Sequence, residues 1–119
     1  MKALQINNEL EDPIHIVDVE KPEPGPGQVL VAMKAASLNH RDQWCREGKY
    51  PGIKNNVTLG SDGAGIVVAL GAGVNESWMN AEVIINPNID WGDNPNAQSK
   101  AYHILGMPTN GTFAEFLVV

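Results

Sequence analysis

Gly60-Ser61-Asp62-Gly63-Ala64-Gly65-Ile66-Val67-Val68-Ala69-Leu70-Gly71 is the stretch on which the reading of this chain turns. Small residues lead into a β-branched apolar run, and a glycine closes it. Ile-Val-Val suits a pleated, half-buried strand. Glycines at its entry point to a tight turn or a close approach of backbones. Just upstream, Gln28–Leu38 is a second long strand candidate. Between the two, Asn39 can cap a short helix, and Gly48 can end it in the left-handed conformation.

Farther out the chain remains strand-rich. Met1–Asn7 alternates loosely and predicts an edge strand, and Ile14–Val19 predicts a better one. Lys21–Gly27 carries three prolines and two glycines and reads as a stiff turn. Gly71–Asn75 is a turn, and Ala81–Asn86 reads as a short buried strand. Pro87–Pro108 is polar and rich in Asn, Asp, Gly and Pro. It reads as a long loop, with a helical turn near Ala97–Ile104. Gly111–Val119 alternates and closes the chain as a strand. The expectation is a mainly β fold: a small, partly open β-barrel with one short helix and one long loop. Long helices between strands are absent, which argues against a parallel nucleotide-binding sheet.

Composition narrows the function. The chain has 119 residues, enough for one domain, and its net charge is −6 with no Lys/Arg cluster. Nucleic acid and anionic membrane are therefore not expected partners. A single cysteine, Cys45, rules out an internal disulfide and a Cys-rich structural zinc. No apolar run approaches the roughly 20 residues of a membrane span, and the N-terminus lacks a signal-like core. A cytoplasmic location is expected.

Six segments in order resemble one family. They are the opening Met1-Lys2-Ala3, the turn and strand Pro22–Val31, and Leu38-Asn39-x-x-Asp42. Then follow Arg46-x-Gly48-x-Tyr50-Pro51, Gly60-x-Asp62-x-Ala64-Gly65, and Gly111-Thr112-Phe113-Ala114-Glu115-Phe116. Together they resemble the catalytic domain, a GroES-like barrel, of the medium-chain dehydrogenase/reductases. That superfamily includes the zinc alcohol dehydrogenases and the quinone oxidoreductases. The resemblance implies that residues 1–119 are the catalytic domain alone. The family's Rossmann cofactor domain, with its glycine fingerprint, is not found here: Gly71-Ala72-Gly73 is followed by Glu76 where the third glycine should fall. An isolated domain is expected to be inactive and to bind NAD or NADP only weakly.

In the zinc alcohol dehydrogenases, two metal ligands fall at the positions of Asn39 and Ser61. Neither side chain replaces a thiolate or an imidazole, and the family's structural-zinc loop has no cysteine here. Asp62 keeps a carboxylate where those enzymes have glutamate. Arg41 stands where they carry a proton-relay hydroxyl, and it cannot pass a proton at neutral pH. The expectation is therefore no zinc, and a likeness to the zinc-independent quinone- and enoyl-reductase branch. The substrate implied is a small molecule with an electron-poor double bond, or a quinone. A homodimer is an expectation for the full-length protein. By the same resemblance Asn39 and His40 are candidate cofactor contacts, and Tyr50 is the candidate catalytic residue beside the nicotinamide. Asp42 is expected to buttress the loop, and Cys45 to be a small, partly buried hydrophobe. Trp44 and Trp91 could line an apolar pocket or pack as core. Two alternatives stay open: a zinc alcohol dehydrogenase domain with degenerate ligands, and a non-enzymatic GroES-like module of the chaperonin-cap kind.

Overall fold

The computed structural model describes all of residues 1–119. In chain order the elements are β1 (Lys2–Ile6), β2 (Ile14–Asp18), β3 (Val29–Ser37), α1 (His40–Arg46), β4 (Val57–Thr58) and β5 (Asp62–Leu70). A single 3₁₀ turn at Glu76–Trp78 precedes β6 (Glu82–Ile84), β7 (Asn88–Ile89), β8 (His103–Leu105), β9 (Pro108–Thr109) and β10 (Phe116–Val118). They form three sheets, ordered β2-β1-β4, β10-β3-β5-β6 and β7-β8-β9. The fold is mainly β with one α-helix, as expected, and it has the open GroES-like form. The sheets are not closed into a continuous barrel. A lone bridge from Ala3 to Ala114, and the bond from Leu4 N–H to the Phe113 carbonyl, connect the first sheet to the approach of β10.

The strands form where apolar residues alternate. In β5, Gly63, Gly65 and Val67 are buried while the residues between them are more exposed. Two apolar clusters result. One joins Ile6, Cys45, Val57, Leu59 and Met107, with Tyr50 and Phe113 packed against it. The other joins Val31, Val67, Ile85, Leu105 and Leu117. Leu105 and Met107 belong to different clusters, so the segment between them spans the junction of the two halves.

Several expectations change. Lys2–Ile6 is the centre of its sheet, not an edge, because β4 pairs with its second side. The strand near residues 81–86 is buried only in part: β6 is an outer strand with Ile84 88% exposed, while Ile85 just past it joins the core. Pro87–Pro108 carries the sheet β7-β8-β9 in place of a helical turn, and His103–Leu105 is strand. Those strands are two or three residues long, too short for alternation to reveal. Side-chain bonds to the backbone hold the rest of that loop, among them Ser99 Oγ to the Asp90 carbonyl (2.7 Å) and Trp91 Nε1 to the Asn94 carbonyl (3.0 Å).

Close backbone packing sets the entry to β5. Gly60 has φ +95° and Gly106 has φ +89°, both left-handed. A Cβ on Gly111 would lie 1.9 Å from the Gly60 carbonyl oxygen and 2.6 Å from the Gly106 Cα. Backbone bonds run alongside, from Thr112 N–H to the Gly60 carbonyl and from Phe113 N–H to the Leu59 carbonyl, both 2.9 Å. No methyl fits without moving main chain. Gly111→Ala should therefore cost about 3 kcal/mol, the upper part of the overpacking range. Gly73→Ala, at φ +82° with open space around it, should cost only about 1 kcal/mol of left-handed strain. Denaturant melts of the two variants give the comparison; equal losses would mean the glycine contact is not rigid.

Candidate active site

Pairing register assembles the site. β3 and β5 pair antiparallel with Ser37 opposite Asp62. Two residues beyond Ser37 the chain reaches Asn39 and turns into α1, so Asn39 arrives beside the start of β5. Its Nδ2 donates to Asp62 Oδ2 at 2.8 Å. Asn39 has extended backbone (φ −118°, ψ 153°) at the helix N-cap position. Its own N–H is taken by Asp42 Oδ2 at 2.8 Å, the return half of a capping box. Asp42 is thus the loop buttress expected, and it is buried. Gly48, with φ +71°, follows the helix as expected.

Arg41 is the hub that sequence reasoning missed. Its Nη1 donates to Ser61 Oγ and to the Leu105 carbonyl (2.7 Å). Its Nη2 donates to Tyr50 Oη (3.0 Å) and to the Met107 carbonyl (3.1 Å). The guanidinium carbon also lies 4.8 Å from the centre of the Tyr50 ring. Ser61 is buried, and its Oγ donates to the Leu105 carbonyl (2.9 Å). The two ion pairs of the chain, Lys2–Asp18 and Lys49–Glu47, lie on the surface. Arg41 therefore carries its charge among neutral acceptors with no carboxylate partner. Tyr50 is half-buried and donates its own hydrogen to no group of the chain. A sequence signal for the hub existed: an arginine where relatives by resemblance carry a small hydroxyl residue. Its partners could not be read.

The remaining candidates lie farther out. His40 is exposed, with its ring edge-on to Trp44 at 5.2 Å. Trp44 and Trp91 are 42% and 40% exposed, so neither is core. No three His, Cys, Asp or Glu side chains converge as a metal would require. A cleft of about 440 Å³, lined in part by Gln5, Val19, His103 and Leu117, contains none of Asn39, Arg41, Tyr50 or Ser61.

With this geometry in view, the chain belongs to the family described as the alcohol dehydrogenase GroES-like domain, whose model matches residues 25–119. It is 40% identical over 86 residues to the zinc-type alcohol dehydrogenase-like protein YogA of Leptosphaeria maculans, covering 70% of this chain and 24% of that protein. It superposes on the solved structure of an NAD-dependent alcohol dehydrogenase with a TM-score of 0.87 and 36% identity, covering 100% of this chain and 37% of that one. The crotonyl-CoA carboxylase/reductase AntE in complex with NADP gives a TM-score of 0.78 at 30% identity, covering 100% of this chain and 35% of that one. The chain thus spans 24–37% of the length of these proteins. It corresponds to the GroES-like domain of these longer dehydrogenases and reductases. No helix is long and apolar enough to cross a membrane.

Cys45, on the inner face of α1, is 1% exposed. Burial pushes its thiol pKa up, and Asp42 adds to this; the nearby Arg41 charge works against both. The thiolate is the reactive form, so the native thiol should be inert. Ellman's reagent at pH 8 should modify it only in denaturant. Rapid labelling of the native protein would mean that α1 opens readily.

Proposed function

We propose that this domain serves a nicotinamide-dependent, metal-independent reductase acting on an electron-poor double bond, either an enone or enoyl group or a quinone. One observation carries the reading: the Arg41 guanidinium is bonded to Ser61, at a position where the zinc enzymes hold a metal ligand. Asn39 and Asp62, the other polar groups there, are bonded to each other. A zinc ion would need thiolate or imidazole donors that Asn39 and Ser61 do not offer; Asp62 alone supplies a carboxylate, already bonded to Asn39, and the Arg41 cation beside it repels a metal. The residues present do not fit that metal. The names of the relatives support a dehydrogenase or reductase and give no support to a chaperonin-cap role.

A reduced nicotinamide fits the same rim better. When bound, it supplies the hydride, and the protein supplies position and polarisation. Asn39 would hold the ring side, its amide kept in one orientation by Asp62. His40, exposed on the first turn of α1, would meet the polar part of the cofactor. Tyr50 would face the substrate. Hydride arriving at the β-carbon drives negative charge onto the carbonyl oxygen, and the free Tyr50 O–H can donate a hydrogen bond to that oxygen. The α-carbon then takes a proton, relayed by the same phenol or by water. The full protein is expected in the cytoplasm, with a small-molecule substrate.

Two measurements test this. Elemental analysis of the full-length protein after chelator dialysis should find no stoichiometric zinc; one tightly held zinc per chain would restore the alcohol dehydrogenase reading. Tyr50→Phe, in the full-length protein, should keep the fold and cofactor binding while lowering enone turnover by about 10²-fold. Reduction at the parental rate would leave Tyr50 a packing residue of the Ile6–Met107 cluster.

A further inference from the structure

The chain has one arginine whose charge is neither exposed nor paired, and its fork ends on the phenol. Resting on the reading of Tyr50 above, we propose that Arg41 is a positioning residue for the reaction: it turns the Tyr50 hydroxyl into an oriented, strengthened donor. Three observations carry this. First, Nη2 donates to Tyr50 Oη, so a phenol lone pair is occupied and the phenol hydrogen must point away from the guanidinium. Second, no carboxylate neutralises Arg41; its partners are two carbonyls, a serine hydroxyl and the phenol. Asp42 and Asp62 lie in the same site, but neither forms an ion pair with the guanidinium, so the phenol is one of the groups its charge bonds directly. Third, the guanidinium cannot swing. Both terminal nitrogens are anchored to main-chain carbonyls, Leu105 and Met107, and those residues are buried.

The consequence is chemical. A phenol that accepts a charge-assisted hydrogen bond donates a stronger one, because the two bonds polarise each other. As hydride reaches the substrate, the electron pair moves to the carbonyl oxygen, and that oxygen gains its charge opposite the Tyr50 O–H. Arg41 stabilises the charge at one remove, through Oη, and touches no reacting atom. No proton need leave Arg41. The site then holds a built-in cation, oriented before the reaction begins, where preorganised donors are most effective.

A double-mutant cycle on the full-length protein separates this role from simple bracing of the loop. Arg41→Met should lower kcat for a small enone by roughly 10-fold or more when Tyr50 is present, and by no more than about 3-fold in a Tyr50→Phe background, because residues that act as a unit are strongly non-additive. The KM for the nicotinamide cofactor should stay within about 2-fold of the parent, because ground-state binding does not use this pair. A spectroscopic arm needs no turnover: with ¹³Cζ-labelled tyrosine, the signal lost in Tyr50→Phe should move in Arg41→Met, and that of Tyr102 should not. If Arg41→Met proves unable to fold, Arg41→Lys enters the same cycle; it keeps a charge but not the fork, and its loss should likewise depend on Tyr50. Equal losses in both backgrounds, or an unmoved Tyr50 signal, would overturn the role of Arg41 while leaving Tyr50 in place. Parental turnover by Tyr50→Phe alone would instead remove the Tyr50 reading, and the Arg41 role with it.

Discussion

The guanidinium of Arg41 is the contact on which the site geometry depends. A guanidinium stays charged in proteins, and taking it out of water costs several kcal/mol even after relaxation. Here the cost is met without a counter-ion. Four acceptors surround the fork: the carbonyls of Leu105 and Met107, Ser61 Oγ and Tyr50 Oη. Hydrogen bonds to charged groups contribute about 1.5–3 kcal/mol each, so keeping the four is what offsets the partial desolvation of this half-buried group, whose Nε stays without a partner. That requirement locks several elements together. The first turn of α1, the entry to β5, the Leu105–Met107 segment and the Tyr50 loop must all sit where one rigid plane can reach them. Lysine could not do this, because a point charge on a flexible stem has no fork to share among fixed acceptors.

Packing supplies the stiffness behind that plane. Leu105 is buried in one apolar cluster and Met107 in the other, so the two carbonyls that hold Arg41 are anchored from both halves of the molecule. The glycine contact among residues 60, 106 and 111 brings main chain against main chain beside the same segment. Ser61 follows Gly60 directly, so its hydroxyl inherits this rigidity. The β3–β5 register adds the rest, bringing Asn39 to Asp62 without any helix-length adjustment. The chemistry of the site therefore rests on contacts with no chemical function of their own.

Much of the scaffold was legible in the chain. β3 and β5 followed from their apolar runs, and α1 from the asparagine before it and Gly48 after it. The buttress role of Asp42 also followed from residue type and place, and Cys45, expected to be partly buried, is buried almost completely. Strand position was less accessible. Lys2–Ile6 looks like an edge because its alternation is loose, yet β4, only two residues long, covers its second side. Ile84 looks like core by its type but stands 88% exposed on the outer strand of its sheet. Local pattern reports which residues can form a strand. It does not report which strands will flank it.

The candidate site divides along the same line. That Asn39 and Ser61 offer a zinc ion neither thiolate nor imidazole is a matter of side-chain chemistry, readable from residue identity before any folding. So is the fixed charge of Arg41. Where that charge goes is a different kind of fact. Its partners include carbonyls 64 and 66 residues away, and every residue carries a carbonyl. An acceptor present at each position leaves no mark in composition, motif or spacing. Only the folded path of the Leu105–Met107 backbone selects those two oxygens. With them it selects Tyr50 and Ser61 as the hydroxyls that share the cation.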